Sequence, residues 1–148
     1  MRAWSLAALI LSLALPAGAG RLLAQTCSKS EFEAVVDEAG AALRNLNQHN
    51  TPAFQAKLRL LRDKRSWTHD QFLKQATPFV RDERIAGFDR KSEELLARIT
   101  TDSQPPSPGK AADCALLAEL RASMQTLIET QKAKWSYMFE KIDKELAH

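Results

Sequence analysis

The strongest pattern in the chain is an 11-residue repeat of apolar positions over 113–146. Its three copies are Leu116, Leu117, Leu120 and Met124; Leu127, Ile128, Gln131 and Trp135; and Met138, Phe139, Ile142 and Leu146. Eleven residues in three turns is about 3.67 residues per turn, so the stripe follows one face of a straight α-helix. The repeat predicts one long helix over 113–147 whose apolar face the rest of the chain covers. Gln131 is expected at the edge of the stripe, and a buried amide bonded to a neighbouring helix is the alternative.

A first helix is predicted over 31–48. Ser30 and Glu33 have the spacing of a capping box, in which each residue satisfies a free backbone N–H at the start of a helix. Apolar residues then recur at intervals of three and four, as on the buried face of a helix. They are Phe32, Val35, Val36, Ala39, Leu43 and Leu46.

Two prolines are expected to separate helices. Thr51 and Pro52 are typical of an N-cap followed by proline at the first helical position, which predicts a turn at 47–50 and a second helix to about Arg65. Pro78 disfavours helical geometry at the residue before it, so it should end the third helix and begin a fourth. A kinked helix that continues through Pro78 is the alternative.

The start of the third helix has the clearest local signal. Thr68 and Gln71 have capping-box spacing, and Trp67 and Phe72 occupy the two positions of a hydrophobic staple. We therefore expect this helix to begin at His69.

Prolines and polar residues set 101–112 apart as an extended, exposed linker, because three prolines and a glycine within five residues do not form helix. Strand-like alternation of apolar and polar residues is absent from the sequence after residue 24. The predicted fold is an all-α bundle of four or five helices around one long C-terminal helix, in a single domain over 25–148.

Residues 1–24 have the layout of a secretory signal peptide. Arg2 precedes an apolar run over 4–15, and small residues follow that allow cleavage after Ala19 or Ala24. The run is shorter than the roughly 20 residues that span a bilayer. We expect an exported protein, periplasmic or secreted, without a transmembrane segment in its mature chain.

Removing the signal peptide changes the charge of the protein. The whole chain has 21 Lys and Arg against 18 Asp and Glu, and cleavage after Ala24 removes Arg2 and Arg21. The mature chain is then almost neutral, so its composition does not favour a nucleic-acid partner.

Cys27 and Cys114 are the only cysteines. Export places them in an oxidising compartment, which predicts a disulfide between them. Such a bond ties the start of the first helix to the start of the last, so the two helices should run parallel. A reactive thiol at Cys114, lowered in pKa by the start of the last helix, is the alternative.

No motif predicts catalysis, a metal site or a cofactor. His49, His69 and His148 are widely spaced and form no HExxH or Glu-x-x-His pair. Adjacent carboxylates such as Asp37 and Glu38 point about 100° apart on a helix and usually mark a solvated face. We therefore expect a protein that is not an enzyme.

The main surface feature is a cluster of positive charge that we call the basic segment. It consists of Lys57, Arg59, Arg62, Lys64, Arg65 and Trp67, and Asp63 is its one negative residue. Such a cluster suits phospholipid head groups, lipopolysaccharide, an acidic protein or another polyanion. The alternative is that these side chains are only the solvated flanks of an apolar stripe.

The residues Thr68-His69-Asp70-Gln71 resemble the last four positions of the LTxxQ motif of the Spy/CpxP group of periplasmic helical proteins, with Trp67 in place of the leading Leu. This resemblance implies an ATP-independent chaperone or a stress regulator.

The function that we favour is a non-enzymatic binding role towards a protein or an anionic surface. The chaperone or stress regulator is the first alternative. A carrier of a small apolar ligand, with a pocket near Trp135 and Met138, is the second.

Overall fold

The computed structural model describes residues 26–102 and 112–148. Within these ranges the chain forms four helices and one short pair of strands, which confirms the predicted all-α fold with a long C-terminal helix. The elements are β1 Thr26–Cys27, α1 Lys29–Lys64, α2 His69–Val80, α3 Glu83–Asp102, β2 Ala112–Asp113 and α4 Cys114–Ala147. The predicted signal peptide and most of the predicted linker lie outside the described residues.

The 34-residue helix α4 is the centre of the fold. Its N-cap is Asp113, whose carboxylate accepts the N–H of Ala115 at 2.9 Å. All twelve positions of the 11-residue repeat are buried or half-buried, which confirms the predicted stripe. α1 and α3 both pack on α4 and make few backbone contacts with each other, while α2 crosses the C-terminal end of α4.

α1 and α4 run parallel, as the predicted disulfide requires. The Cys27–Cys114 bond is formed, and the antiparallel pairing of β1 with β2 lies beside it. Contacts along the two helices keep a nearly constant sequence separation: 87 at the disulfide, 88 between Asn47 and Trp135, and 86 between Lys57 and Asp143. The sequence separation between contacting residues of α3 and α4 increases towards the start of α3. α3 therefore runs antiparallel to α4.

The predicted turn at 47–50 is wrong, because α1 continues through Pro52. Pro52 cannot donate to the carbonyl one turn before it, but one missing bond costs less than interrupting a face that packs on α4. The side-chain amide of Asn50 donates to the carbonyl of Leu46 at 2.8 Å, close to the proline. The buried and half-buried positions keep helical spacing across it: Val35, Ala39, Leu43, Leu46, Asn50, Phe54, Leu58 and Leu61.

The expected helix boundary at Pro78 is also wrong. α2 continues through Pro78 to Val80, as the alternative of a helix that continues through Pro78 allowed. It ends at Arg81, which has an extended backbone. Asp82 then begins α3, because its carboxylate accepts the N–H of Ile85 at 2.8 Å. Pro78 has no N–H to donate to the carbonyl one turn before it, and α2 ends soon after it, at Val80.

Capping boxes begin α1 and α2. Thr68 and Gln71 form the predicted box at α2. At α1 the box is formed by Ser28 and Glu31, two residues earlier than expected, because the disulfide and the β1 strand already position the chain there. The backbone N–H and hydroxyl of Ser28, and more weakly the charge of Arg121, hold the pKa of Glu31 below its ordinary value.

The core has two apolar clusters along α4. The cluster near the disulfide contains Val35, Ala39, Leu95, Ile99, Leu117, Leu120, Met124 and Leu127. The cluster at the other end contains Phe54, Leu58, Leu61, Phe79, Ile85, Met138 and Ile142, with Trp67, Phe72, Trp135 and Phe139 packed against it. Each helix therefore buries apolar residues against α4.

Polar contacts join the helices between these clusters. The side-chain amide of Gln131 donates to the hydroxyl of buried Ser92 at 2.7 Å, and Ser92 donates to the carbonyl of Phe88 at 2.8 Å. The expectation that Gln131 lies at the edge of the stripe is therefore wrong. The side chain of Gln131 faces α3, and at that level of the bundle a hydrogen bond takes the place of apolar packing.

Replacing Cys27 and Cys114 with Ser should destabilise the fold strongly. The bond closes a loop with a sequence separation of 87, which is worth about 4–5 kcal/mol in the chain-entropy model. Chemical denaturation of the double variant and the oxidised wild type measures the difference. Mass spectrometry of the non-reduced wild type should find both cysteines in one linked peptide, and two free thiols would contradict the prediction.

Candidate functional site

The basic segment lies at the end of α1, where three of its cations contact the end of α4. Lys57 pairs with Asp143, and Arg65 pairs with Glu145 at 3.2 Å. The ammonium group of Lys64 donates to the backbone carbonyl of Leu146 at 2.7 Å. A cation is favourable at this position, because the C-terminal end of a helix carries partial negative charge.

The other members of the basic segment face different surroundings. The guanidinium of Arg62 lies 6.0 Å from the centre of the Phe72 ring and pairs with Asp63 at 2.8 Å. Trp67 is half-buried against the aromatic end of the core, as a staple residue should be. Arg59 is exposed and forms no ion pair within the part of the chain that the structure describes.

The local surplus of positive charge is therefore smaller than the sequence suggested. Asp143 and Glu145 of α4, about 80 residues away in the chain, join Asp63 to offset the five cations. The structure gives three of the five cations of the basic segment a role in holding α1 to α4. Its binding of an anionic partner stays a prediction, with Arg59 as the cation most free for it.

Replacing Lys64 and Arg65 together with Gln should lower the free energy of unfolding by about 1 kcal/mol, because exposed pairs contribute only a few tenths to 1 kcal/mol each. Arg59→Gln is the matched control and should change it by less than about 0.5 kcal/mol. Urea denaturation measures both. An effect of Arg59→Gln as large as that of the double variant would contradict the structural role.

A second charged cluster joins the start of α3 to α4. Both the hydroxyl of Tyr137, at 2.8 Å, and the ammonium of Lys141, at 2.5 Å, donate to one oxygen of Asp82. Lys141 also donates to the carbonyl of Pro78 at 2.6 Å, and the guanidinium of Arg84 lies 4.4 Å from the centre of the Tyr137 ring. The cluster fixes the turn between α2 and α3 on the long helix.

The pKa values of this cluster are shifted away from neutrality. The hydrogen bond from Lys141, followed by the N–H of Ile85, lowers the pKa of Asp82 to about 2. The hydrogen bond to Asp82 raises the pKa of Tyr137 above its ordinary value. Neither group is poised to exchange a proton near pH 7, so the arrangement acts as a structural clamp.

Asp82 should make the fold sensitive to acid. Its pKa is lower in the folded chain than its ordinary 3.8, so its stabilisation is present above pH 3.8 and is lost as the pH falls towards about 2. Asp82→Asn should therefore lose less stability than the wild type over that interval, as denaturation at a series of pH values measures. Tyr137→Phe keeps the Lys141 contact and should retain most of the dependence. Equal losses for wild type and Asp82→Asn would contradict the prediction.

An open groove between α1 and α4, which we call the α1–α4 groove, is a further candidate site. Its two adjoining stretches share Leu46 and Lys132. The apolar floor contains the half-buried residues Ala42, Leu46, Ile128, Trp135 and Phe139, and beneath them the buried core residues Val35, Ala39 and Met124. The polar and charged rim contains Glu38, Asn50, Arg121, Gln125, Lys132, Ser136, Glu140 and Asp143. An apolar floor with a polar rim is typical of a protein-binding surface.

One end of the groove is aromatic. Trp135 and Phe139 pack against each other with ring centres 6.1 Å apart, and both contact Phe54 edge-on. The indole N–H of Trp135 donates to the side-chain oxygen of Asn47 at 3.1 Å, which holds the ring against α1. Met138 is buried in the core and does not line the groove, so Trp135 lines an open groove rather than a cavity shared with Met138.

The exposed large apolar side chains of the described residues are spread over α1, α2 and α3. They are Val36, Leu60, Leu73, Val80 and Leu96. Among residues 26–102 and 112–148, no three His, Cys, Asp or Glu side chains are grouped as metal ligands. No helix in these ranges has the length and hydropathy to cross a membrane.

Comparison of the chain with protein-family models, curated proteins and solved structures found no match. The candidate site therefore rests on its geometry alone. The groove was not predicted, because apolar stripe positions of a helix are expected to lie in the core. The signal for it was the width of the stripe. Adjacent apolar residues, such as Leu127 with Ile128 and Met138 with Phe139, give α4 an apolar face that is wider than one neighbouring helix can bury.

Proposed function

We propose that this protein is an exported, non-enzymatic binding protein that holds an amphipathic helical segment of a protein partner in the α1–α4 groove. The observation that carries the proposal is the continuous apolar floor between two parallel helices, with charged side chains along both rims. The paired cysteines and the sequence pattern of residues 1–24 support export.

The dimensions of the groove support a helical ligand. Its wall on α1 extends from Val35 to Asn50, roughly 22 Å at about 1.5 Å per residue, which matches four turns of a helix. Ala42 is small and half-buried, so the backbone of a bound helix can come close to α1 there. A helix there would be the fourth member of a bundle with α1, α3 and α4.

The charge distribution favours a protein partner over an anionic surface. The α1–α4 groove has both signs on its rims, with Arg121 and Lys132 on α4 and Glu38 on α1. In the basic segment, Lys57 and Arg65 are already paired with carboxylates of α4. A charged rim around an apolar floor sets the orientation of a bound helix, whereas an anionic surface requires unpaired cations on one face.

The test uses a photoreactive residue at Gln125, an exposed position on the rim of the groove, in the full exported chain. The expected result is a crosslink to an amphipathic helix of a protein, which a second copy of this chain could also supply. The added substitution Ala42→Arg fills the groove and should abolish the crosslink. The matched control carries the photoreactive residue at Ala97, an exposed position on α3.

Two results would overturn the proposal. One is a crosslink from Gln125 that survives Ala42→Arg, with an unchanged helical spectrum. The other is an equal yield of the same crosslink from Ala97, since α3 lies outside the groove.

A further inference from the structure

We propose that the apolar floor of the α1–α4 groove is covered by the same surface of a second copy of this chain, in an antiparallel two-fold dimer. α4 would face the partner's α4 and α1 the partner's α1, with the two-fold axis perpendicular to the helices. The inference rests on the proposed function, because it names the partner that the groove accepts. The rim charges and the register of α1 against α4 carry it.

The rim of α4 changes sign along its length. Arg121 lies on the rim near one end and Glu140 near the other, and neither forms an ion pair within the described ranges. An antiparallel copy centred between Thr130 and Gln131 places Arg121 of each chain opposite the Glu140 of the other. A two-fold axis forms this pair twice.

The same centre also pairs charges in the middle of α4. Lys132 and Glu129 already form an ion pair within one chain at 3.1 Å. They lie symmetrically about the level between Thr130 and Gln131, so each Lys132 would also face the partner's Glu129. The result is an alternating network of four charges, which contributes more than an isolated exposed pair.

α1 gives an independent indication of the same axis. Glu38 lines the groove. His49 follows it by eleven residues, which is three helical turns, so helical spacing puts it on the same side of α1. The midpoint of the two falls between Leu43 and Arg44. The α1–α4 contacts have separations of 86 to 88, which puts this midpoint level with the one on α4. Two helices therefore place complementary rim groups about one common centre.

A parallel dimer makes poorer use of the rim. With the axis along the helices, α4 would face the partner's α1, and Arg121 would lie near the partner's Glu38. Lys132 would then lie level with Asn45 and close to His49, without an acidic residue of α1 opposite it. The antiparallel arrangement gives partners to Arg121, Lys132 and Glu38 together.

Charge reversal tests the proposal directly. Arg121 and Glu140 are nineteen residues apart in one helix, roughly 28 Å, so they cannot pair within one chain. Wild-type protein should sediment as a dimer, and Arg121→Glu or Glu140→Arg alone should raise the dimer dissociation constant at least tenfold. The double variant restores opposite charges across the axis and should return the constant to near the wild-type value. Arg98→Glu on α3 is the matched control and should leave it unchanged.

Cysteine crosslinking tests the register. Gln125 and Ser136 both line the groove and lie symmetrically about the proposed centre. A mixture of Gln125→Cys and Ser136→Cys chains under mild oxidation should form the mixed crosslinked dimer in preference to either crosslinked homodimer. Preferred crosslinking between two Gln125→Cys chains would overturn the antiparallel register.

Other outcomes separate this inference from the proposed function. A monomeric wild type whose Gln125 crosslinks to a different protein overturns self-pairing and leaves the groove as a binding site. A monomeric wild type without any groove-dependent crosslink overturns both. Single charge reversals that leave the dissociation constant unchanged, or a double variant that fails to recover, overturn self-pairing alone.

Discussion

The width of the apolar stripe on α4 is the constraint on which the rest of the structure depends. α4 has 34 residues, and each copy of its repeat contains two adjacent apolar residues. Its apolar surface is therefore wider than one neighbouring helix can cover. α1 and α3 therefore pack on different sides of α4 and make few contacts with each other. The part of the stripe that neither covers fully becomes the floor of the α1–α4 groove.

The elements whose signals are local or strongly periodic could be predicted from the sequence. The 11-residue repeat defined α4, and the Thr68 and Gln71 box defined the start of α2. The boundaries expected at Pro52 and Pro78 failed for one reason. A proline removes one backbone hydrogen bond, whereas a break in α1 or α2 would withdraw a buried face from the core.

The contacts of charged groups could not be predicted, because their partners are distant in the chain. The basic segment looked like an isolated surplus of positive charge until Asp143 and Glu145 were placed beside it. Asp82 likewise belonged to a charge-dense stretch with no assigned role, and only the antiparallel packing of α3 brings Tyr137 and Lys141 to it. Periodicity identifies which face of a helix is buried, but not which helix covers it.

The Cys27–Cys114 disulfide has a consequence beyond stability, because it sets the register of α1 against α4. Helices that pack through apolar stripes can exchange one set of contacts for another by a slip of about one turn, roughly 5.4 Å. Such a slip would move Glu38 along the wall of the groove relative to Arg121. The midpoint of the rim charges on α1 would then no longer lie level with the midpoint on α4. A covalent bond at one end, together with the Lys57 to Asp143 contact at the other, excludes that slip. The charge pattern of the groove is therefore a property of two helices held in one register.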